Sequence, residues 1–514
     1  MKDTLVTLAV VLAAGAFLLW GASYYTVFDD EAFSLQRYVL PAGELVSVLR
    51  AGAEPDPPLF YLLQRAWIDA FGVRPVALRG PAVLMFLAAL PVIRAAGAAW
   101  GDERAGRWAL VLCGLHPLHL FFGFAARWYS LAFLCAALLL LASAKIERRG
   151  GGRRWFILWT TAAMAALYTN YFAACLVGAL WLRGVWVSPA LRRPWRYAAA
   201  AVLAAYLPWV SAFADQLGRF PRAAADAMPY LACAGRTGAA LLTGNLAAPA
   251  AWYVWMGMAV FVAGGAVLFL DDLRRRGGAD RPSGGPAWAA AVCLAAGVAT
   301  LTMIDKYAMA FSAPVWLATG LTFARSRLGR WRAVRSAAVG GLCVGWAGCG
   351  LNWAMERNWS SQRWLDPFAA VVREHVYSKL VATHPSVRYY YGIMDPADWY
   401  GRVEPQRWRA RAAEVLTPRA AAERWAGAPP ESQPRRMCAI QGAATASDAA
   451  EWEALFDRLR DDWTLASEDQ RLADPAAALK DRLDPGYVHP PWRVVTRCYV
   501  PRIDAGASPG ARLE

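Results

Sequence analysis

The stretch "LVTLAVVLAAGAFLLWGASYYTVFDDEAF" (residues 5–33) joins a long apolar run to three consecutive carboxylates. A helix that crosses a bilayer needs about 20 mainly apolar residues, and the first part of the stretch reaches that length. Asp29, Asp30 and Glu31 follow it directly. The stretch therefore predicts a membrane-spanning helix that leads into an acidic segment at the membrane surface.

The composition of the whole chain agrees with a membrane location. Of the 514 residues, 57% are hydrophobic and 26 are Trp, which is too apolar and aromatic for an ordinary soluble enzyme of this length. The formal net charge is +15, but Lys and Arg fall in short clusters between apolar runs. We therefore predict an integral membrane protein and no nucleic-acid partner.

About eleven apolar segments are long enough to be spans. They centre on residues 4–22, 77–97, 106–123, 128–144, 155–168, 171–187, 196–213, 251–270, 287–304, 307–323 and 334–353. If the N terminus is cytoplasmic, the Arg-rich loops 145–154, 183–196, 271–281 and 324–335 all fall inside, as Lys and Arg prefer. The sequence thus predicts an N-in, C-out topology in the inner (cytoplasmic) membrane.

The first span has one alternative, a cleaved signal peptide, because "MKD" supplies a weak basic start. No small-residue cleavage pattern precedes "YYT", so we favour a retained span. Residues 23–72 then form a large outside loop. Apolar residues at helical spacing predict two helices in it, over 30–40 and 57–72, lying along the interface.

The chemistry of the chain changes near residue 355, which divides it into a membrane domain (1–354) and an extracytoplasmic domain (355–514). In the second domain the pattern predicts an α/β fold. The expected helices are 364–376 and 446–459, and the expected strands are 379–384, 435–440 and 492–500. Cys438 and Cys498 could form a disulfide there if this domain faces an oxidising compartment, which the sequence alone does not decide.

Polar residues that could carry chemistry collect on the predicted outer side of the membrane. They are Asp29, Asp30, Glu31, Asp56, Arg79, His116, His119, Arg127, Asn170, Asp305 and Lys306. Polar groups near hydrocarbon are costly unless they pair or line a wet cavity, so we expect a pocket with an acidic and a basic half. A carboxylate base and cations that hold a leaving phosphate would suit sugar transfer from a polyprenyl phosphate.

Each of these residues also has a purely structural explanation. The three acids could cap the following helix, and Arg127 and Lys306 could snorkel to the interface. Asp56 precedes two prolines, as turn residues often do. His116 and His119 have no evident third metal ligand, which favours hydrogen-bonded histidines at a helix end. Only the joint placement favours an active site.

The order of motifs resembles bacterial membrane glycosyltransferases of the GT-C superfamily, similar to the protein O-mannosyltransferases and the lipid A aminoarabinose transferase. The matching segments are "FDDEAFS" (28–34), "DPPLFYLL" (56–63), "LRGPAVL" (78–84), "HPLHLFFGFAARWYSL" (116–131), "YTNYF" (168–172) and "KYAMAFSAP" (306–314). The chain departs from the family pattern at Ala125 and Ala126 in place of Gln-Glu, and at Asn170 in place of His.

The resemblance implies a role for each matching residue. Asp30 would be the catalytic base with Glu31 as its partner, although Asp29 leaves open which aspartate points inward. Asp56 would orient the acceptor or an optional divalent cation. The residues implied to bind the donor phosphate and its lipid are Arg79, Arg127, Tyr129, Lys306 and Tyr307. His119 and Asn170 would line the pocket.

The resulting hypothesis is an inverting glycosyltransferase, a hexosyl- or pentosyltransferase, that uses a polyprenyl-phosphate sugar donor. Its other partners would be membrane lipid and a glycan, lipid or protein acceptor at the outer face. One alternative is a transporter or flippase of lipid-linked sugars, for which inverted repeats would be typical; none is evident. The other is a catalytically inactive scaffold, against which Asp30 and Glu31 argue.

Overall fold

A computed structural model provides the structure, and it describes most of the chain. The described residues are 2–24, 29–52, 54, 56–150, 152–219, 230–244, 252–275, 284–299, 308–325, 331–355, 379–382, 415–416, 421, 423–424, 437–441, 453–457, 463–472 and 493–501. They divide into two compact units. The helical unit draws on 1–24, 40–71 and 75–355, and the second unit draws on 25–39, 72–74 and 356–514.

The regular secondary structure of the described helical unit consists of helices. In chain order the α-helices are α1 (Lys2–Tyr24), α2 (Asp29–Tyr38, in the second unit), α3 (Ala42–Arg50), α4 (Leu59–Phe71), α5 (Pro75–Trp100), α6 (Glu103–Gly114), α7 (Pro117–Phe122), α8 (Tyr129–Arg149), α9 (Arg153–Leu167), α10 (Ala173–Val187), α11 (Arg192–Tyr206), α12 (Val210–Arg219), α13 (Tyr230–Thr243), α14 (Trp252–Arg275), α15 (Gly284–Ala299), α16 (Ala308–Arg325) and α17 (Arg332–Met355). Short 3-10 helices, Pro189–Leu191 and Leu207–Trp209, flank α11.

Five stretches among the described residues are helical, long and apolar enough to cross a bilayer. They are Thr4–Ser23, Pro75–Trp100, Tyr129–Arg148, Pro189–Leu217 and Trp252–Asp271. The chain is therefore a membrane protein with a mostly helical body, as the sequence predicts. Every predicted span overlaps a helix, while the count of about eleven spans and their orientation stay predictions.

Small residues let the apolar helices approach closely. A Cβ built on Gly257 of α14 would lie 2.6 Å from the carbonyl oxygen of Gly341 in α17, and a Cβ on Gly341 would lie 2.5 Å from that of Gly257. A Cβ built on Gly97 of α5 would lie 2.8 Å from the Cα of Gly106 in α6, and a Cβ on Gly106 would lie 2.7 Å from the carbonyl oxygen of Arg94 in α5. In lipid, such backbone contact replaces the hydrophobic effect as the source of helix association.

The centre of the helical unit is formed by α5, α6, α8 and α16, which pack on one another. Trp100 at the end of α5 is fully buried and donates from Nε1 to the carbonyl oxygen of Leu140 in α8 at 2.9 Å. The helix α8 is the most enclosed of the five long apolar stretches. Residues at its N-terminal end are thereby held in a fixed, buried position.

The second unit contains one mixed five-stranded sheet in the order β2-β1-β3-β5-β4. Its strands are β1 (Lys379–Ala382), β2 (Val415–Leu416), β3 (Met437–Gln441), β4 (Trp463–Leu472) and β5 (Arg493–Pro501). The three predicted strands are confirmed as β1, β3 and β5, whereas β2 and β4 were not predicted. Of the two predicted helices, 364–376 lies outside the described residues, and 453–457 is the described helical part of 446–459.

A hydrophobic cluster in the second unit includes residues of this sheet. Met437, Ala439 and Trp463 are buried there with Ala421 and Leu455. On the neighbouring strand Cys498 is buried and disulfide-bonded, and the residue opposite it in the β3–β5 ladder is Cys438.

The described part of the first loop holds three helices instead of the two predicted. The helices α2 and α4 confirm the helices expected over 30–40 and 57–72, although their position along the interface stays a prediction. The additional helix, α3, carries Glu44 in its first turn and Arg50 in its last, which suits the helix dipole. Leu45 and Leu49, four residues apart, are its buried positions.

Candidate functional site

Buried polar groups in the helical unit gather where α3 leads into α4. The helix α3 ends at Arg50, and Gly52, two residues later, has a φ of 80°, the left-handed conformation that glycine adopts without strain. Residues 54 and 56 follow, and the next helix starts at Leu59, whose backbone N–H donates to the carbonyl oxygen of Tyr168 at 2.9 Å. The carboxylates of this connection are thus fixed against the rest of the unit.

The segment 116–131 supplies the partner of these carboxylates. His116 caps the short helix α7 by accepting from the backbone N–H of Leu118 at 3.1 Å. A tight turn follows, in which Arg127 N–H donates to the carbonyl oxygen of Ala125 at 2.6 Å. Ser130 Oγ donates to the carbonyl oxygen of Gly123 at 3.0 Å, which closes the turn against the start of α8.

Arg127 joins the two segments through a buried ion-pair cluster. Its Nη1 lies 2.9 Å from Glu54 Oε2, and its Nη2 lies 3.1 Å from Asp56 Oδ2. Tyr61 donates its hydroxyl to Glu54 Oε2. The exposed fractions are 7% for Arg127, 2% for Glu54 and 3% for Asp56. One guanidinium therefore holds two carboxylates away from water.

The electrostatics of the cluster favour proton uptake by Asp56. Burial raises the pKa of Asp56 to about 6, against the lowering effect of Arg127 and with a further rise from Glu54. The hydroxyl of Tyr61 donates to Asp56 Oδ2 at 3.3 Å and also opposes this rise. A carboxylate with a pKa this close to neutral can take and release a proton at physiological pH, which is what acid-base chemistry requires.

Five of the six motifs that carry the family resemblance meet in the helical unit. The ion pair between Arg127 and Asp56 joins the motif at 116–131 to the motif at 56–63. The hydrogen bond from Leu59 N–H to the carbonyl oxygen of Tyr168 joins the motif at 56–63 to the motif at 168–172. The guanidinium of Arg79, in the motif at 78–84, lies 5.2 Å from the ring centroid of Phe124 in the motif at 116–131. His119 Nε2 lies 2.6 Å from Ser312 Oγ of the last motif. Segments between Asp56 and Ser312 thus form one buried neighbourhood.

Arg79 is tied to the first helix. Its Nη1 donates to the carbonyl oxygen of Ala22 at 3.0 Å, and the side chain is fully buried. Phe124, beneath the guanidinium, also approaches α1, since a Cβ built on Gly21 would lie 2.5 Å from its ring. Arg79 therefore joins the end of α1 to the turn that carries Arg127.

The two histidines are hydrogen-bonded on both ring nitrogens, as the structural interpretation of the sequence predicts. His116 accepts from Leu118 N–H at Nδ1, and its Nε2 lies 2.7 Å from the carbonyl oxygen of Leu241. His119 Nδ1 lies 2.6 Å from the carbonyl oxygen of Cys113. Among the described residues, His, Cys, Asp and Glu form no group of three that could hold a metal ion.

Tyr129 and Asn170 are both buried near the cluster. Tyr129 begins α8, with its ring centroid 4.7 Å from that of Trp128 and 5.5 Å from that of Phe122. Asn170 caps its own turn, since Oδ1 accepts from the N–H of Phe172 at 2.9 Å. Both positions are explained locally by packing and capping.

The remaining predicted site residues lie either in the second unit or outside the described part of the structure. Asp29, Asp30 and Glu31 form the first turn of α2, in the second unit. Glu31 is fully buried, while the side chains of both aspartates lie outside the described part of the structure. Lys306 and Tyr307 also lie outside it. The pairing of Asp30 with Arg127 and Lys306 across one pocket stays a prediction.

Glu54 and Tyr61 are site residues that the sequence reasoning did not find. Glu54 stands two residues before Asp56 in "EPDPPLFY", so its side chain reaches the same partner. In this segment two acidic residues alternate with prolines, and this pattern could have identified Glu54 as a candidate. Arg127 is 73 positions away from Glu54, and only the tertiary fold reveals that they pair.

Comparison with solved structures identifies the fold. ArnT from Cupriavidus metallidurans bound to undecaprenyl phosphate superposes with a TM-score of 0.55 and 13% identity, over 98% of this chain and 99% of that one. The chain has the ArnT fold. The apo form of ArnT gives a TM-score of 0.53 at 13% identity, over 97% of this chain and 98% of that one.

The similarity expected from the order of motifs is thereby confirmed at the level of fold. An oligosaccharyltransferase of Archaeoglobus fulgidus aligns with a TM-score of 0.43, which is too low to support an argument. No protein-family model and no curated protein matches the sequence. At 13% identity to ArnT, the fold is shared while activity has to be argued from the site.

Proposed function

We propose that this protein is a glycosyltransferase that moves a sugar from a polyprenyl-phosphate-linked donor to an acceptor at the outer face of the cytoplasmic membrane. The observation that carries the proposal is the convergence of five family motifs around the buried Arg127 cluster. The ArnT structure of the same fold holds undecaprenyl phosphate, which supports a polyprenyl phosphate as the lipid. A helical membrane body suits such a donor.

The proposed reaction is a direct displacement with inversion. Asp30, with Glu31 beside it, takes the proton of the acceptor hydroxyl, and the oxygen attacks the anomeric carbon of the sugar. The bond from that carbon to the phosphate oxygen breaks, and the polyprenyl phosphate leaves with the electron pair. No acid on the protein is needed because the leaving phosphate is already a good anion.

The residues proposed to bind the phosphate of the donor and its lipid are Arg127, Lys306, Tyr129, Tyr307 and Arg79. Cations placed where negative charge develops stabilise the transition state. Because Arg127 already binds Glu54 and Asp56, a phosphate would share its guanidinium with these carboxylates. Asp56 would orient the acceptor, and its pKa of about 6 supports a place close to an exchanging proton. A divalent cation held by Asp56 and Glu31 stays a hypothesis.

The proposed topology has about eleven spans, with the N terminus inside and residues 355–514 outside as an α/β domain. The Arg-rich loops support this orientation. The disulfide-bonded state of Cys498 supports it as well, since disulfides persist in oxidising compartments such as the bacterial periplasm.

A donor-consumption assay tests the proposal. Purified full-length protein in lipid is incubated with polyprenyl-phosphate hexoses, pentoses and aminopentoses and with an envelope extract as the source of acceptors. We expect mass spectrometry to show loss of one donor and release of free polyprenyl phosphate. If every donor stays covalently intact while a labelled donor crosses the liposome bilayer, the protein is a flippase and the proposal is wrong.

A further inference from the structure

The side chain of Gln216 joins three elements of the helical unit. It lies in α12 and is 3% exposed. Its Nε2 donates to the carbonyl oxygen of Leu49 in α3 at 2.7 Å. Its Oε1 accepts from the hydroxyl of Tyr171, in the turn before α10, at 2.6 Å. One buried amide therefore links α12 to α3 and to that turn.

The direction of each of these hydrogen bonds is determined by its partners. A carbonyl oxygen can only accept, so the amide nitrogen of Gln216 must face Leu49. The indole Nε1–H of Trp209 can only donate, and it lies 3.0 Å from the hydroxyl oxygen of Tyr171. The hydroxyl hydrogen of Tyr171 is therefore left for Gln216 Oε1. Turning the amide over would lose the bond to Leu49, so the side chain holds its neighbours in one arrangement.

The carbonyl that Gln216 binds lies just before the connection from α3 to α4, which we call the acidic connection because it carries Glu54 and Asp56. The last carbonyls of a helix have no partner within the helix. The carbonyl oxygen of Leu49 accepts from Gly52 N–H at 3.0 Å as well as from Gln216. The start of the acidic connection is thus bound to α12.

The far end of the acidic connection is bound to the turn that carries Tyr171. The N–H of Leu59, the first residue of α4, donates to the carbonyl oxygen of Tyr168 at 2.9 Å. Tyr171 follows three residues later and is close enough to Asp56 for the two side chains to interact electrostatically. Gln216 and Tyr171 therefore bridge the two ends of the acidic connection.

We propose that Gln216 and Tyr171 are positioning residues that hold Glu54 and Asp56 against Arg127. With both of its ends bound, the short acidic connection has little conformational freedom with which to carry its carboxylates out to water. The ion pairs at 2.9 and 3.1 Å then form in one geometry. The consequence for sugar transfer rests on the proposed function, in which a misplacement of about 1 Å can cost on the order of 100-fold in rate.

A double-mutant cycle on the purified full-length protein tests the proposal. Arg127→Gln lowers the thermal midpoint because it leaves two buried carboxylates without their cation. If Gln216 acts through these carboxylates, Gln216→Met loosens them beforehand, so Arg127→Gln should lower the midpoint by at most half as much in that background. Tyr171→Phe should reduce the effect of Arg127→Gln in the same direction, and it decides the matter if Gln216→Met does not fold.

Tyr168→Phe is the matched control. The hydroxyl of Tyr168 donates to the carbonyl oxygen of Ala205 at 2.8 Å, so this substitution removes a hydrogen bond of comparable length that leads from the same turn to α11. Sites that act independently have additive effects. In the Tyr168→Phe background, Arg127→Gln should therefore lower the thermal midpoint by its full amount.

Two results would overturn the proposal. One is full additivity with Arg127→Gln in the Gln216→Met and Tyr171→Phe backgrounds, and the other is an equal reduction in the Tyr168→Phe background. The donor-consumption assay separates this outcome from the proposed function. If the coupling is found while Gln216→Met and Tyr171→Phe release polyprenyl phosphate at the wild-type rate, the positioning is supported and the role of Asp56 in sugar transfer is wrong.

Discussion

The buried cluster around Arg127 predicts a large loss of stability when the guanidinium is removed. In Arg127→Gln, the carboxylates of Glu54 and Asp56 keep their burial but lose the cation that lies 2.9 and 3.1 Å from them. Removing one partner of a buried ion pair typically costs about 3–5 kcal/mol. We expect a cost in this range, since one arginine serves two carboxylates.

The same reasoning predicts recovery when the charges are removed together. The variant E54Q/D56N/R127Q has no buried charge in the cluster, so it should regain at least half of the lost thermal midpoint. Arg94→Gln is the matched control. Its pair with Glu103 has a similar distance of 2.7 Å, but the side chains are 25% and 59% exposed, so the loss should stay below about 1 kcal/mol.

A thiol-reactive dye can follow the unfolding in detergent. Cys113, Cys135, Cys293 and Cys349 are buried free cysteines, so they become labelled as the helical unit opens. All variants are compared at one heating rate because membrane proteins often unfold irreversibly. Two results would contradict the inferred stabilisation by Arg127. One is a thermal midpoint of Arg127→Gln equal to that of the wild-type protein. The other is a thermal midpoint of the triple variant no higher than that of Arg127→Gln.

Three further predictions follow from the structure. Burial raises the pKa of Asp56 to about 6, so the contribution of this group to stability is fully present below its ordinary pKa of 3.8 and is lost as the pH rises through 6. Lowering the pH from 7.5 to 5 should therefore raise the thermal midpoint of the wild-type protein more than that of Asp56→Asn. Equal shifts of the two midpoints would contradict this prediction. Reduction before alkylation should add two modified cysteines by mass, Cys498 and its partner, and Cys498→Ser should abolish the increase. Gly257→Ala should lower the thermal midpoint because its Cβ would meet a backbone oxygen at 2.6 Å, whereas Gly265→Ala, with open space, should not.

The five long apolar helices were predictable because a run of apolar residues is a local property of the sequence. Strand β4, by contrast, carries the charged run "SEDQR" between Ala466 and Leu472. It pairs along its length with β5, and this pairing with a distant strand stabilises a segment whose own pattern does not predict a strand.

Part of the buried cluster could be predicted from the sequence, but its contacts could not. Asp56 and Arg127 were both expected, in separate roles, whereas the structure joins them directly. The sequence also suggested that His116 and His119 are hydrogen-bonded, because the spacing lacks a third ligand. The sequence offers no reason to choose Glu54 over the other acidic residues, because its role depends on the ion pair with Arg127, which only the fold reveals.

The most direct test of the proposed sugar transfer compares two adjacent aspartates. Wild-type protein, Asp30→Asn and Asp29→Asn are purified in lipid, matched by thermal midpoint and given the donor that the wild type consumes. We predict that Asp30→Asn releases no polyprenyl phosphate above background while Asp29→Asn stays within a few fold of the wild type. Undiminished release by Asp30→Asn would contradict the assignment of Asp30 as the base.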